Sequence, residues 1–448
     1  ILEKTEGVPF FIEEFVRSLN DLKIIERREN KCRLAKDVQD VTIPSTIQDV
    51  IMARVDSLPE GAKAVLQTGS VIEREFSYEL IKQVTGISER ELLSHLSGLK
   101  DSELLFERGM FPETTYIFKH ALTREVVYDS ILTSRKKKLH EEIGDSIEQL
   151  YKDNLDEYYG ALAEHYVAGN NFAKGAEYSM FASKKAKKST SFTDATDYAK
   201  KGIDSLERLP QTNEVQNMLI DARTFLGLTY NQINYHFEAY EAVAPIIDLA
   251  IKQDLKRRIA QIYIIVGVYY SMVEEDFPKA TEYLEKSLRI SEELQDIVSL
   301  ASGNFWLGET LTYNCEFEKA FYHINTAIDI NMAANNLWGS SSVKGVLSFF
   351  SYHFQGQLNL GYKTSEEAIR IAEEVGDIYS KAMAYTCHGI SYYGKGQLIE
   401  ATKYLLKGAD FCERINLFVW NAIAHQYLGE SYFEIGDFEK SKYHYDKA

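Results

Sequence analysis

From about residue 220 to residue 448 the chain repeats one hydrophobic pattern. A lead residue, glycine in all repeats but one, is followed three positions later by an aromatic or large apolar residue. The pairs are Gly227 and Tyr230, Gly267 and Tyr270, Gly308 and Leu311, Phe349 and Tyr352, Gly389 and Tyr392, Gly429 and Tyr432. The leads lie 40, 41, 41, 40 and 40 residues apart. A second series follows, Phe277, Phe317, Leu358, Leu398 and Phe438, with a small residue three positions on: Ala280, Ala320, Gly361, Ala401 and Ser441. Seven further on comes another: Ser287, Ala327, Ala368, Gly408 and Ala448. Spacings of three, four and seven mark helical faces, and GQL (396–398) and GDF (436–438) separate two helices within a repeat. A glycine inside a helix costs roughly 1 kcal/mol relative to alanine. Glycines recurring at one phase therefore predict close approach of paired helices, with the aromatic residue filling the next gap. One helical hairpin cannot bury its own apolar face, so the pattern predicts hairpins stacked into a superhelix.

Residues 43–133 read differently. IPSTIQDVIMARVDSLP (43–59) has helical spacing at Ile47, Val50, Ile51, Val55 and Leu58, between Pro44 and Pro59. EGAKAVLQTGSVI predicts a second helix and SYELIKQVTG a third, closed by Gly86 as helices often are. ISERELLSHL opens a fourth, with Ser88 and Glu91 as a capping box. ELLFERG and TTYIFKH, flanking MFPE, predict a β-hairpin. Helices followed by a two-stranded wing suggest a winged helix. Such domains often bind DNA through a basic helix, but SERELLSHLSGLKDSE (88–103) carries Glu89, Glu91, Asp101 and Glu103 against Arg90 and Lys100, which opposes major-groove binding. The basic run RKKKLH (135–140) reads as a solvated helix face.

Composition narrows the function. The chain has 448 residues, too many for one ordinary core. Its net charge of -17 argues against nucleic acid as a partner. Cys32, Cys315, Cys387 and Cys412 are scattered, without CxxC or zinc-finger spacing, as expected for a reducing cytoplasm. The most apolar run, IAQIYIIVGVYYSMV (259–273), is interrupted by Gln261 and is short for a membrane span. No G-x-x-x-x-G-K-[ST] and no H-E-x-x-H occurs, so no catalytic apparatus is expected here. The first residue is Ile1, and ILEKTEGVPFF reads as the middle of something; the chain is expected to be part of a longer protein.

The recurring Gly-x-x-Tyr and aromatic-x-x-Ala residues resemble tetratricopeptide repeats, with a period of about 40 rather than the usual 34. Together with EGVPFFIEEFVRSL (6–19), the 43–81 stretch and YIFKHALTREVVYDSIL (116–132), they resemble the back half of bacterial signal-transducing AAA-type (STAND) ATPases, most like those attached to class III adenylate/guanylate cyclases. In that architecture a P-loop ATPase is followed by a lid, a winged helix and a repeat array. The resemblance implies that Gly7 and Pro9, in the lid's Gly-x-Pro motif, lie near an adenine ring, and that His120 touches the β-phosphate of ADP. Val8, where members often have Asn, departs from the motif. The residues alone leave other roles open: Pro9 as the first residue of a helix, and His120 as a capping or packing residue.

The expected fold is mainly α: a small winged-helix domain followed by a tetratricopeptide-like α-solenoid superhelix. The expected division is 1–42 as the end of an ATPase lid, 43–133 as the winged helix, 134–219 as a helical linker with degenerate repeats, and 220–448 as the repeats. The expected function is regulatory, with a protein or peptide partner in the repeat groove and an upstream ATPase domain in cis. No nucleic acid, membrane or metal is expected, and no cofactor within this chain. ATP or ADP with magnesium is expected in the full-length protein. A transcription regulator or kinase of the same ATPase class, or a plain scaffold, are the alternatives. Gly227, Gly267, Gly308, Gly389, Gly429, Tyr230, Tyr270, Tyr392, Tyr432, Ala280, Ala320 and Ala401 are the expected packing positions.

Overall fold

A computed structural model describes residues 46–110 and 113–448, the backbone of the strands β1 (Ile25–Arg28) and β2 (Lys31–Leu34), and helical Ile12 and Val16. β1 and β2 pair antiparallel, Ile25 opposite Leu34. Gly7 and Pro9 lie outside the described residues. The chain forms two compact units, Ile1–Gly175 and Ala176–Ala448.

In the first unit, α1 (Ile47–Asp56) and α2 (Glu60–Ile72) precede a short strand β3 (Glu75–Ser77) and α3 (Tyr78–Thr85). Then come α4 (Glu89–Asp101), the hairpin β4 (Leu105–Arg108) and β5 (Thr115–Phe118), and α5 (Ala121–Asp129). Local chemistry sets the helix ends. Thr46, Ser77 and Ser88 each accept a hydrogen bond from the backbone N–H three residues on, and Gly86 closes α3 at φ 62°. The hairpin expected from the sequence forms, with Leu105 opposite Phe118. The sequence pattern did not predict β3, which pairs with β5 to give the order β3-β5-β4. A three-residue strand is too short to show alternation; what holds it is Phe76, buried between Tyr116 and Phe118, both with ring centroids 6.1 Å away. Arg54, itself buried, donates to the carbonyl of Ser102 at 2.6 Å and ties α1 to the end of α4.

α6 (Thr133–Leu150) carries the basic run, and three of its four cations are paired: Arg135 and Lys138 reach Glu142, and Lys136 reaches Asp129 and lies over the Tyr128 ring. On its other face His140 meets His165 of α7 (Tyr159–Ala168), Nδ1 to Nδ1 at 2.9 Å, in the buried core. Tyr128 Oη lies 3.1 Å from Nε2 of His140.

The second unit is built of antiparallel helix pairs. α8 (Phe172–Lys188) runs into it and α9 (Phe192–Glu207) follows. Then come α10 (Asn213–Gln232) with α11 (His236–Val243) and α12 (Ile247–Lys252), α13 (Lys256–Met272) with α14 (Phe277–Leu294), and α15 (Ile297–Tyr313) with α16 (Phe317–Ala333). α17 (Leu337–Val346) with α18 (Leu358–Val375), α19 (Ile378–Gly394) with α20 (Leu398–Arg414), and α21 (Phe418–Ile435) with α22 (Phe438–Tyr445) complete it. Two residues before each second helix the backbone is left-handed, at Asn234, Glu275, Cys315, Gly356, Gly396 and Gly436. Only half of these turns use glycine, so the punctuation read at GQL and GDF is a general device of the array that composition shows in part.

The lead glycines face the second helix of their own pair. A Cβ at Gly267 would lie 2.6 Å from Leu284 Cγ and 3.1 Å from the Ala280 carbonyl; one at Gly308 would collide with Ile324. At Gly389 it would lie 2.9 Å from the backbone nitrogen of Leu405. Ala280, Ala320 and Ala401 are fully buried opposite. The tyrosines three residues on stack on the second helix: Tyr270 on Tyr283, Tyr392 on Tyr404, Tyr432 on His444. Tyr230 packs where several core clusters meet. Where Phe349 replaces glycine, the helix widens into a π-helical segment, Leu347–His353, and the ring is buried in the core; an extra residue per turn is how a helix absorbs such a misfit. Gly389→Leu should therefore cost about 1–3 kcal/mol by overpacking, read as a lowered melting temperature. An unchanged melting temperature would show that α19 and α20 can separate without loss.

Candidate ligand-binding face of the repeats

The first helices of the pairs bring their aromatic side chains together. Tyr379, near the start of α19, donates its hydroxyl to the backbone carbonyl of Gln232 at the end of α10, 3.0 Å away and 147 residues earlier. Its ring stacks on Trp338 at 5.2 Å and meets Phe192 edge-on at 5.8 Å. Phe305 and Tyr235 pack against the same buried cluster, which continues through Phe349, Phe350, Trp420 and Tyr427. Tyr313, at the end of α15, lies 5.6 Å from Phe350. Most of these rings are buried; Tyr313 is 41% exposed and offers contact area at low entropic cost, with a hydroxyl for orientation.

Polar groups on the same first-helix segments are incompletely paired. The Oε2 of Glu309, Nδ2 of Asn231, Nδ1 of His353 and Oδ1 of Asn421 have no hydrogen-bond partner. Glu309 is buried, and burial pushes its pKa up to about 8. His236 shares a hydrogen bond with Asn231 Oδ1 at 3.2 Å, and burial pulls its pKa down to about 4. At the start of the array Lys187 donates to Thr229 Oγ1 at 3.1 Å, its pKa pulled down to about 8 by burial. Buried polar atoms are normally satisfied, so a face that leaves several open is suited to a ligand that completes them. Among the described residues no group of three metal-ligating side chains occurs, and no helix is long and apolar enough to cross a membrane.

The packing residues expected from the sequence lie partly in this cluster. The lead glycines sit between the helices of each pair, while Ala401 belongs to the aromatic cluster and Tyr230, Tyr392 and Tyr432 pack against it. His120 is the N-cap residue of α5, with extended backbone (φ -130°, ψ 140°); its carbonyl accepts from Thr123 and Arg124, while its side chain makes no capping hydrogen bond. The sequence carried one unused sign of the face. The residue after each lead is Leu228, Val268, Glu309, Phe350, Ile390 and Glu430, a mostly apolar column broken by two acids. Glu430 is partly exposed and accepts from Gln426; Glu309 is buried.

No protein-family model matches the chain, and neither does any curated protein. Solved structures do share its fold. One is the Signal Transduction ATPase with Numerous Domains (STAND) protein with a tetratricopeptide repeat sensor from Pyrococcus horikoshii, at 15% identity and a TM-score of 0.53 over 91% of this chain. This chain spans 59% of that protein's length. Another is a Rap protein complexed with Competence and Sporulation Factor, at 15% identity and a TM-score of 0.52, covering 89% of this chain and 96% of that one. At this identity the likeness speaks for architecture, and by architecture the chain is mainly α with a tetratricopeptide-like solenoid.

Proposed function

We propose that this chain is the sensing region of a signalling ATPase, in which the repeat array binds a peptide or protein segment and the 43–133 domain, read as a winged helix, passes that state to an upstream ATPase. The observation that carries the reading is the aromatic face with its unpartnered Glu309, Asn231, His353 and Asn421. The helix–strand–helix–helix–hairpin order supports the winged-helix reading, and the net negative charge of α4 with the ion-paired cations of α6 supports a role in protein contacts over DNA. The STAND neighbour is named for a tetratricopeptide repeat sensor, and the Rap neighbour is complexed with Competence and Sporulation Factor; both support ligand sensing by such an array. A nucleotide cyclase as the effector, and ATP or ADP with magnesium bound upstream, rest on the sequence resemblance alone. For a ligand to switch the protein it must bind one state better than the other.

The test is selection of a random peptide library on the chain. Enriched peptides should bind the parent and lose affinity on a Trp338→Ala variant that keeps its melting temperature. No enrichment, or equal binding to the variant, would remove the sensing role. His120 belongs to the same proposal as a phosphate contact. In the full-length protein His120→Ala should weaken ADP binding by about one to two decades, since a hydrogen bond to a charged group is worth roughly 1.5–3 kcal/mol. Unchanged ADP affinity in the folded variant would leave His120 a structural residue.

A further inference from the structure

We propose that Glu309 is the anchor for a cationic group, an ammonium or guanidinium, on the ligand of the repeat face. The inference rests on the reading of that face as a sensor and names what it senses. Glu309 is 7% exposed, and its Oε2 has no partner. The neighbours that feel its charge are Tyr313, one turn along α15, and Tyr379 of α19. Neither answers it: the Tyr379 hydroxyl is committed to the Gln232 carbonyl, and a phenol brings no positive charge. Among the described residues no basic side chain offsets the carboxylate, whose pKa rises from burial alone.

A carboxyl in such a place costs stability whenever it ionises. An amide or an aliphatic side chain of the same size would fill the space without that cost. The carboxyl gains a use when a cation arrives from outside. Tyr313, one turn along α15, is 41% exposed, which places Glu309 one helical turn from solvent. The exposed Tyr313 ring, 5.6 Å from that of Phe350, offers a face that attracts an ammonium or guanidinium. A carboxylate flanked by aromatic rings selects an organic cation over a bare metal ion, which would need further oxygen, nitrogen or sulfur ligands; none is grouped with Glu309.

The probes are two synthetic random-peptide pools, identical except that one fixed position holds arginine in the first and citrulline, its neutral isostere, in the second. Trp306, Trp338 and Trp420, the three tryptophans of the chain, all lie in the repeat array, so intrinsic fluorescence reports binding. The arginine pool should bind the parent about tenfold or more tightly than the citrulline pool, as a charge-assisted pair is stronger than a neutral one. Glu309→Gln should bring the two pools to equal affinity. Calorimetry near pH 7 in two buffers should show release of about one proton when the arginine pool binds the parent and none with the variant. Equal affinity of the two pools for the parent, or a preference that survives in Glu309→Gln, would overturn the cation assignment and leave the sensor reading standing. Failure of both pools to bind the parent would overturn both.

Discussion

Between pH 5 and pH 9 the parent chain should lose stability on the order of 4 kcal/mol that a Glu309→Gln variant keeps. Glu309 sits in the fold with a pKa of about 8, against 4.5 when solvated. Below pH 4.5 both states hold the proton, and the site costs nothing. Between 4.5 and 8 the unfolded chain releases a proton that the folded chain retains, so folding becomes less favourable by up to roughly 1.4 kcal/mol per pH unit. Above 8 the loss is complete and the dependence levels off. Glutamine keeps the volume and removes the ionisation. Urea midpoints of parent and variant at pH 5, 7 and 9 read the difference directly. The repulsion within an acidic chain grows with pH in both proteins and cancels. Parallel curves would mean that the Glu309 carboxylate is solvated or paired.

A second loss is expected on the acid side. His140 and His165 are both buried, and their Nδ1 atoms share one hydrogen bond, which requires both rings to be neutral or one singly charged. Burial, then Arg124 and Lys136, hold His140 down at about 4; burial, then His140 and Arg124, hold His165 at about 3. In the unfolded chain both titrate near 6.5. Their contribution is thus fully present above pH 6.5 and drains away as the pH falls through about 4. His140 alone accounts for about 3 kcal/mol. A double variant, His140→Gln with His165→Gln, keeps a hydrogen-bonding pair without the titration. Its urea midpoint should change less between pH 7 and pH 4.5 than the parent's. Equal slopes would show that the pair opens to water before it charges.

The phase of the repeats was legible because each lead glycine answers a local constraint, the second helix of its own pair. Gly86 and Ser88 were legible for the same reason: a turn or cap is decided by residues a few positions away. β3 was not, since three residues carry no period and Phe76 is held by rings 40 positions or more along the chain. The left-handed turns at Glu275 and Cys315 have no compositional mark, because tertiary packing overrides their backbone preference. The candidate face was hidden most completely. It arises where Tyr379 meets Gln232 and Phe192, and no window of sequence contains those residues together. The nucleotide contacts drawn from the family resemblance rest on Gly7 and Pro9, outside the described residues, and on His120, whose backbone begins α5.

That meeting of Tyr379 with Gln232 also bears on how the array folds. A stack of helical hairpins in which each touches only its neighbours gains and loses units from its ends, one interface at a time. Here a bond spans 147 residues, and it forms only after the intervening hairpins are in place. The entropy of closing that loop falls on a late step. Folding should accordingly begin with rapid growth of neighbouring hairpins and finish with a slower, all-or-none closure. Tyr379→Phe, which deletes the bond and keeps the ring, would then speed unfolding while leaving the early growth phase unchanged.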